Sequence, residues 1–234
     1  MTKRRIWPAL LAAGIGFCIL CGLGVWQVKR LAWKEALIAE IDARMKADPV
    51  SLKDALSAPS SNEYLHITTT GRFLSGQPLR RMAVSNGGPG YELLHPFVSA
   101  DGVFLLVDRG TISIDDSDPS ITPPNNKDVT ISGLLRLHNK GRGYFDGDND
   151  IKGNLWIWWD IPAMLAAGHP PEDAEQAPFI LQLLPSPDLP PKPLVPAPKI
   201  ELSNNHLGYA ITWFGLAAAL LGVTGFFVAR PRES

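Results

Sequence analysis

Two stretches free of Asp, Glu, Lys, Arg and His stand near opposite ends of the chain, Ile6–Val25 and Tyr209–Ala229. A helix of about 20 residues crosses the ~30 Å hydrocarbon core of a bilayer. The chain therefore reads as a hairpin that enters the membrane, makes a long excursion and returns. Chemistry is then confined to the excursion, or to the level where it meets the lipid.

The 234 residues leave roughly 180 for that excursion, enough for one soluble domain with its own core. A net charge of −1 gives no basis for a nucleic-acid partner. Lys3, Arg4 and Arg5 precede the first span, and Arg230 and Arg232 follow the second. Positive flanks stay inside, so both termini are expected in the cytoplasm. Lys29, Arg30 and Lys34 run against that rule, but long translocated domains are poorly governed by such charges. A cleaved signal peptide is the other reading of the first stretch. Its apolar part is long for one, no A-x-A-like site follows, and Trp7 and Trp26 bracket it as interfacial anchors do. With no room for an organelle presequence before Ile6, the expected location is a bacterial inner membrane, with the main domain periplasmic.

The expected organisation is residues 1–5 cytoplasmic, a span at 6–27, an extracytoplasmic helix plus β domain at 28–184, a proline-rich tether at 185–205, a second span at 206–229, and a cytoplasmic end at 230–234. Trp33, Leu37 and Ile41 continue a helical stripe past the first span, and Asp48-Pro49 ends it. Ser51-x-x-Asp54 can cap a short second helix. After Ser60 come short runs of strand character: Tyr64–Phe73, Leu79–Val84, Tyr91–Val98, Val103–Asp108, Val129–Leu137, Leu155–Ile161 and Phe179–Leu184. Asp101-Gly102 between two of them signals a hairpin, and Ile161–Ala167 reads as a short helix closed by Gly168. The fold class is membrane α+β, two transmembrane helices flanking an antiparallel β barrel or sandwich.

Few residues announce chemistry. Cys18 and Cys21 form a C-x-x-C inside the first span, with no second ligand pair, and read as apolar filling. Asp146-x-Asp148-x-Asp150 opens like a calcium loop, but Ile151 and Ile157 stand where Gly and Glu are required. It reads as a solvated acidic turn. His66, His95, His138 and His169 are scattered and read as surface or satisfied structural histidines. No residue set supplies a nucleophile with its base, so no enzyme is expected. The run Trp156-Ile157-Trp158-Trp159 is either a core strand or an apolar docking face for a partner or flat ligand.

His206 differs from the other histidines. It lies where the chain enters the second span, with Tyr209, Ala210 and Trp213 following at i+3, i+4 and i+7 on one helical face. Trp26 and Gln27 stand at about the same depth on the first span. A neutral imidazole beside aromatic surface can ligate haem iron; the alternative is an interfacial anchor. Small residues offer helix-packing faces: Gly215, Ala219, Gly222 and Gly225 on the second span, Ala9, Ala13 and Gly16 on the first.

The stretch Leu23-Gly24-Val25-Trp26-Gln27-Val28-Lys29-Arg30-Leu31-Ala32-Trp33-Lys34 resembles the opening signature of the surfeit locus protein 1 family. So do Leu106-Val107-Asp108-Arg109-Gly110, then Gly133-Leu134-Leu135-Arg136, then Trp159-Asp160. Asn205-His206-Leu207-Gly208-Tyr209-Ala210-Ile211-Thr212-Trp213 is similar to its terminal signature, the most specific of these. Order, spacing and the two-span layout agree over nearly the whole chain. Departures are local, with Asp108 and Thr111 bounding a motif that in the family usually reads Asn-Arg-Gly-Trp. The resemblance implies an assembly factor for haem–copper cytochrome oxidase that helps place haem a in the catalytic subunit. It implies transient haem a as cofactor and His206 as axial ligand; the spacing reading adds Tyr209, Trp213, Trp26 and Gln27 as the residues expected around it. The implied partners are cytochrome c oxidase subunit I, haem a synthase and the lipid bilayer. The alternative is a scaffold that binds oxidase subunits without haem.

The orientation is checked with a reporter fused after Ser234. Activity in the cytoplasm is expected; activity only outside it overturns the topology.

Overall fold

The computed structural model describes residues 6–57, 63–85, 87–116, 127–138, 141–185, 193, 195 and 204–229. The proline-rich tether and the charged termini fall mostly or wholly outside the described residues. The chain divides into two units, one holding residues 1–41 with 200–234 and the other residues 42–199.

In the first unit, helix α1 begins at Trp7 and runs unbroken to Lys46, and helix α4 spans His206–Ala229. Both are long and apolar enough to cross a membrane. At 40 residues α1 is about 60 Å long, twice the hydrocarbon thickness. Its second half therefore continues the helix beyond the uncharged stretch, as the Trp33–Leu37–Ile41 stripe anticipates. The i,i+4 pair Asp42–Lys46 closes at 2.7 Å near the helix end.

The helices meet through Gly16 of the expected stripes and through a further set of small residues. The buried positions are Gly24 and Gln27 on α1 and Ala210 and Ala217 on α4. A Cβ on Gly24 would lie 2.7 Å from the Phe214 ring, so glycine is what lets that ring approach the backbone. Gly16 faces Leu220, whereas Gly215, Gly222 and Gly225 have nothing within 4 Å. Nearest-neighbour packing needs a small residue opposite a large one, not two small stripes.

The second unit opens with β1 (Val50–Ser51) and α2 (Leu52–Leu56). The Ser51 side chain accepts from the Asp54 amide, the cap expected from the sequence. Then follow β2 (His66–Phe73), β3 (Leu79–Ser85), β4 (Gly88–Ser99), β5 (Val103–Ser113), β6 (Val129–Arg136), β7 (Leu155–Trp156), α3 (Ile161–Ala167) and β8 (Glu175–Leu183). Strand pairing runs β2–β6–β8–β5–β4, and β4 returns to β2, which closes a five-stranded barrel. β1 and the pair β3–β7 extend it at the margins. The pairings β5–β8, β1–β2 and β3–β7 are parallel and the others antiparallel, so the sheet is mixed rather than purely antiparallel. β8 returns beside β5 only after β6, β7 and α3, and such a crossover permits the parallel pairing.

β5 is the strand both sides of the domain share. Leu105 and Val107 join Ile67, Phe97, Leu135 and Leu181 in one core. Phe104 and Leu106 join Leu94, Ile180, Trp156 and Met164 in the other, under α3. A strand buried on both faces reads as a continuous apolar run, which is what Val103–Val107 is. The Asp101-Gly102 turn forms as expected, with Gly102 at φ +81° and its amide bonded to Ser99 O at 3.0 Å.

The expected strand Leu155–Ile161 stops at Trp156. The Asn149 side-chain oxygen accepts from the amides of Ile157 (2.7 Å) and Trp158 (3.2 Å), which withdraws them from any ladder. Asp160 then caps α3 by accepting from the Ala163 amide.

Gly71 sits at the barrel's closing corner, paired with Val129 on one side and Ser99 on the other. A Cβ there would lie 2.2 Å from Val98 O and 2.6 Å from the Ser99 Cα, both backbone atoms. Gly71→Ala should therefore cost roughly 1–3 kcal/mol, seen as a lowered midpoint in thermal unfolding followed by near-UV circular dichroism. An unchanged midpoint contradicts the closure.

Candidate functional site

His206 is the first residue of α4, half-buried. Its Nδ1–H donates to Oε1 of Gln27 at 2.7 Å, across the hairpin from α4 to α1. Gln27 is 8% exposed, a polar side chain on a helix with otherwise apolar burial. An amide there has no water to turn to, and the imidazole satisfies it. Because Nδ1 is engaged, the lone pair lies on Nε2. Among the described residues Nε2 has no hydrogen-bond partner. Nitrogen in that state is a metal ligand, not a proton donor.

The structure thus joins two of the five expected site residues by a direct bond. The others are placed as surface. Trp26 is 55% and Tyr209 56% exposed, while Trp213 is half-buried. Rings facing outward at this level present apolar area to lipid or to a ligand. Cys18 and Cys21 are free thiols. No group of three or more His, Cys, Asp or Glu side chains among the described residues is arranged to hold a metal ion.

The β domain carries a second feature. A cleft of about 600 Å³ is lined by Leu137, His138, Trp158, Trp159, Pro162 and Pro178, among others. Trp159 lies between two flat groups: the His138 ring stacks on it at 3.6 Å, and the Arg81 guanidinium stands 4.3 Å from its ring centre. Burial, with Arg136 and Arg81 nearby, pushes His138 down to about 3, so its imidazole is neutral. Of the tryptophan run only Trp156 is fully buried. Trp158 and Trp159 line the cleft, and Trp159 also packs against the core that holds Trp156.

Behind Trp159, Arg81 donates from Nε to Glu92 at 2.6 Å, and its terminal nitrogen also pairs with that carboxylate. The fully buried Asp108 carboxyl is held well above its ordinary range by burial and by the charge of Glu92, with which it also shares a hydrogen bond. Sequence reading missed this network, which joins β3, β4 and β5 beside a register shift between Glu92 and Leu94. It also missed Tyr144 and Phe145, which are 96% and 94% exposed and meet edge to face. They ride on the acidic turn, where Asp146 accepts from the Gly143 amide, Asp150 from the Gly153 amide, and Asp148 pairs with Arg142. Each of these carboxylates has a partner within its own loop.

The remaining histidines divide. His66 is satisfied on both nitrogens, by Ala47 O and Ser132 Oγ. His95 is fully buried against Phe73, with neither ring nitrogen hydrogen-bonded. That departs from the expectation of a satisfied or surface histidine: the ring is packed edge-on against Phe73 with both nitrogens unbonded.

Comparison with known proteins gives one consistent result. The family model described as SURF1 family matches residues 15–218. A SURF1-like protein of Drosophila melanogaster is 30% identical over 232 residues, covering 91% of this chain and 74% of the relative. A SURF1-like protein of Rickettsia felis is 30% identical, covering 88% and 91%. Surfeit locus protein 1 of Homo sapiens is 29% identical, covering 91% and 74%.

Burial, reinforced by the charge of Arg109, pushes His95 down to about 3. The unfolded chain protonates near pH 6.5, so His95 contributes stability that is complete above that pH. It is lost as the pH falls toward 3, by up to about 1.4 kcal/mol per pH unit. His95→Leu should remove that slope, measured as the wild-type-minus-variant difference in unfolding free energy from pH 6.5 to 4. A flat difference contradicts the buried neutral ring.

Proposed function

We propose, on the premise that the chain belongs to the SURF1 family and so serves cytochrome c oxidase assembly, that it carries haem a transiently at His206 and passes it to oxidase subunit I. The single observation that supports this is the state of His206: Nδ1 bonded to Gln27 at 2.7 Å and Nε2 without a partner among the described residues. The residues present fit the cofactor. His206 would supply one axial ligand, and Trp26, Tyr209 and Trp213 would supply apolar surface for the macrocycle and its hydrocarbon tail. Bound haem a is cargo here, and its redox chemistry belongs to the oxidase that receives it.

The protein's own part is to hold, shelter and release. One histidine at a membrane edge suits release; a closed pair of axial ligands would retain the haem. The cofactor's apolar tail favours a site within reach of lipid, and haem a synthase is the natural donor. Both termini lie in the cytoplasm on this reading, with the β domain on the other side of a bacterial inner membrane. No part of this requires the chain to catalyse a reaction.

A second reading draws on Tyr144 and Phe145, exposed at 96% and 94%. Paired aromatic rings of that exposure are what a docking surface offers. On that reading the chain is a scaffold that binds oxidase subunits and does not touch haem.

The two readings separate on one experiment. Wild type and His206→Ala are purified from cells that make haem a, and their absorption spectra compared. Haem a in the wild type and its loss in the variant are expected. Equal haem content removes His206 from the role, and a haem-free wild type leaves the scaffold.

A further inference from the structure

We propose that Gln27 is a positioning residue that fixes which nitrogen of His206 faces outward. This rests on the carrier reading of His206 and gives Gln27 a task other than lining the haem. The geometry is direct: Gln27 Oε1 is an acceptor 2.7 Å from Nδ1. An acceptor on Nδ1 holds the proton there and leaves the lone pair on Nε2. Histidine free in water favours the opposite tautomer, with the proton on Nε2. Left to itself the outward nitrogen would therefore be a donor for most of the time, and unable to bind iron. Gln27 reverses that preference and also raises the basicity of the outward nitrogen, since the hydrogen bond lends charge to the ring.

The register that brings the two together is built one turn further into the hairpin. Gly24 precedes Gln27 by three residues, on the same face of α1. The Phe214 ring rests against it where any Cβ would lie 2.7 Å away. Phe214 follows His206 by eight residues and Ala210, buried, by four. The close approach of Phe214 to Gly24 thus fixes the level at which α4 begins relative to α1. Gln27 is 8% exposed, so neither water nor lipid competes for its oxygen.

The test uses the full chain in lipid nanodiscs, labelled with ¹⁵N-histidine and free of haem. There are five histidines, and His206→Ala identifies the resonances of residue 206. At a pH about two units above the ordinary imidazole range near 6.5, the wild type should show a single tautomer, protonated on Nδ1. Gln27→Leu, similar in volume but without an acceptor, should shift the population toward the water-like form. Gln27→Glu retains an oxygen at the same reach and should keep the wild-type tautomer. Titrated with haem a, Gln27→Leu should bind roughly ten- to a hundredfold more weakly than wild type, and Gln27→Glu should recover most of that loss. A merely structural role would change neither the tautomer nor the ranking of the two variants. A wild type protonated on Nε2, or a Gln27→Leu protein with unchanged tautomer and affinity, overturns the proposal. Equal haem a affinity in wild type and His206→Ala sinks the carrier reading instead, and a Nδ1–H tautomer in that same wild type would still support the assignment to Gln27.

Discussion

Lipid offers no hydrogen bonds, and that constraint orders this molecule. A polar side chain on a membrane-level helix must find its partner in the protein or face a cost of several kcal/mol. Gln27 and His206 are such side chains, and they find one another. Their bond engages one nitrogen of the imidazole and leaves the other without a partner among the described residues. The apolar helices around them do the complementary work. Gly24 admits the Phe214 ring, and the two backbones come close enough for a side-chain bond to span the gap.

In the β domain the backbone's demand for partners is met by closure. A sheet that rolls up leaves few unpaired edges, and here β4 completes the ring by returning to β2 at Gly71. β5 lies at the centre of the result, with one face in each of two cores. Polar groups carried inward by β5 and by its neighbour β4 are buried in shifted states. On β5, burial and the charge of Glu92 hold the Asp108 carboxyl well above its ordinary range, and on β4 burial holds the His95 imidazole neutral. The chain Asp108–Glu92–Arg81 then reaches Trp159 and His138 at the edge of a surface cleft. The domain therefore brings an aromatic cleft and a pair of bare rings, Tyr144 and Phe145, to its surface.

Much of this was legible from residue order. Apolar runs without charge marked both helices, the Trp33–Leu37–Ile41 stripe marked the continuation of the first, and Ser51 and Gly168 marked the limits of short helices. Failures have local causes. Leu155–Ile161 has strand composition, but Asn149 takes the amides of Ile157 and Trp158, and Asp160 turns the chain into α3. The stripe Gly215–Gly222–Gly225 does not pack on the first helix, since a Cβ at any of the three would meet nothing within 4 Å; shape opposite, and not small size alone, selects the contact. The parallel pairing of β5 with β8 could not be read from alternation, since periodicity reports which face is buried and not which neighbour lies alongside.

What the sequence determined by itself is therefore the one-dimensional content: two apolar helices, a strand-rich excursion between them, a histidine at the start of the second helix, and motifs similar to one family. These follow from composition, spacing and local chemistry, each legible within a window of a few residues. Only the tertiary structure decided that Gln27 meets His206 across 179 positions of chain, that Glu92 leans on Asp108 at a bulge, and that Trp159 lies between an imidazole and a guanidinium. Contacts of that kind depend on how distant segments are brought together, and no local pattern of residues encodes the distance between them.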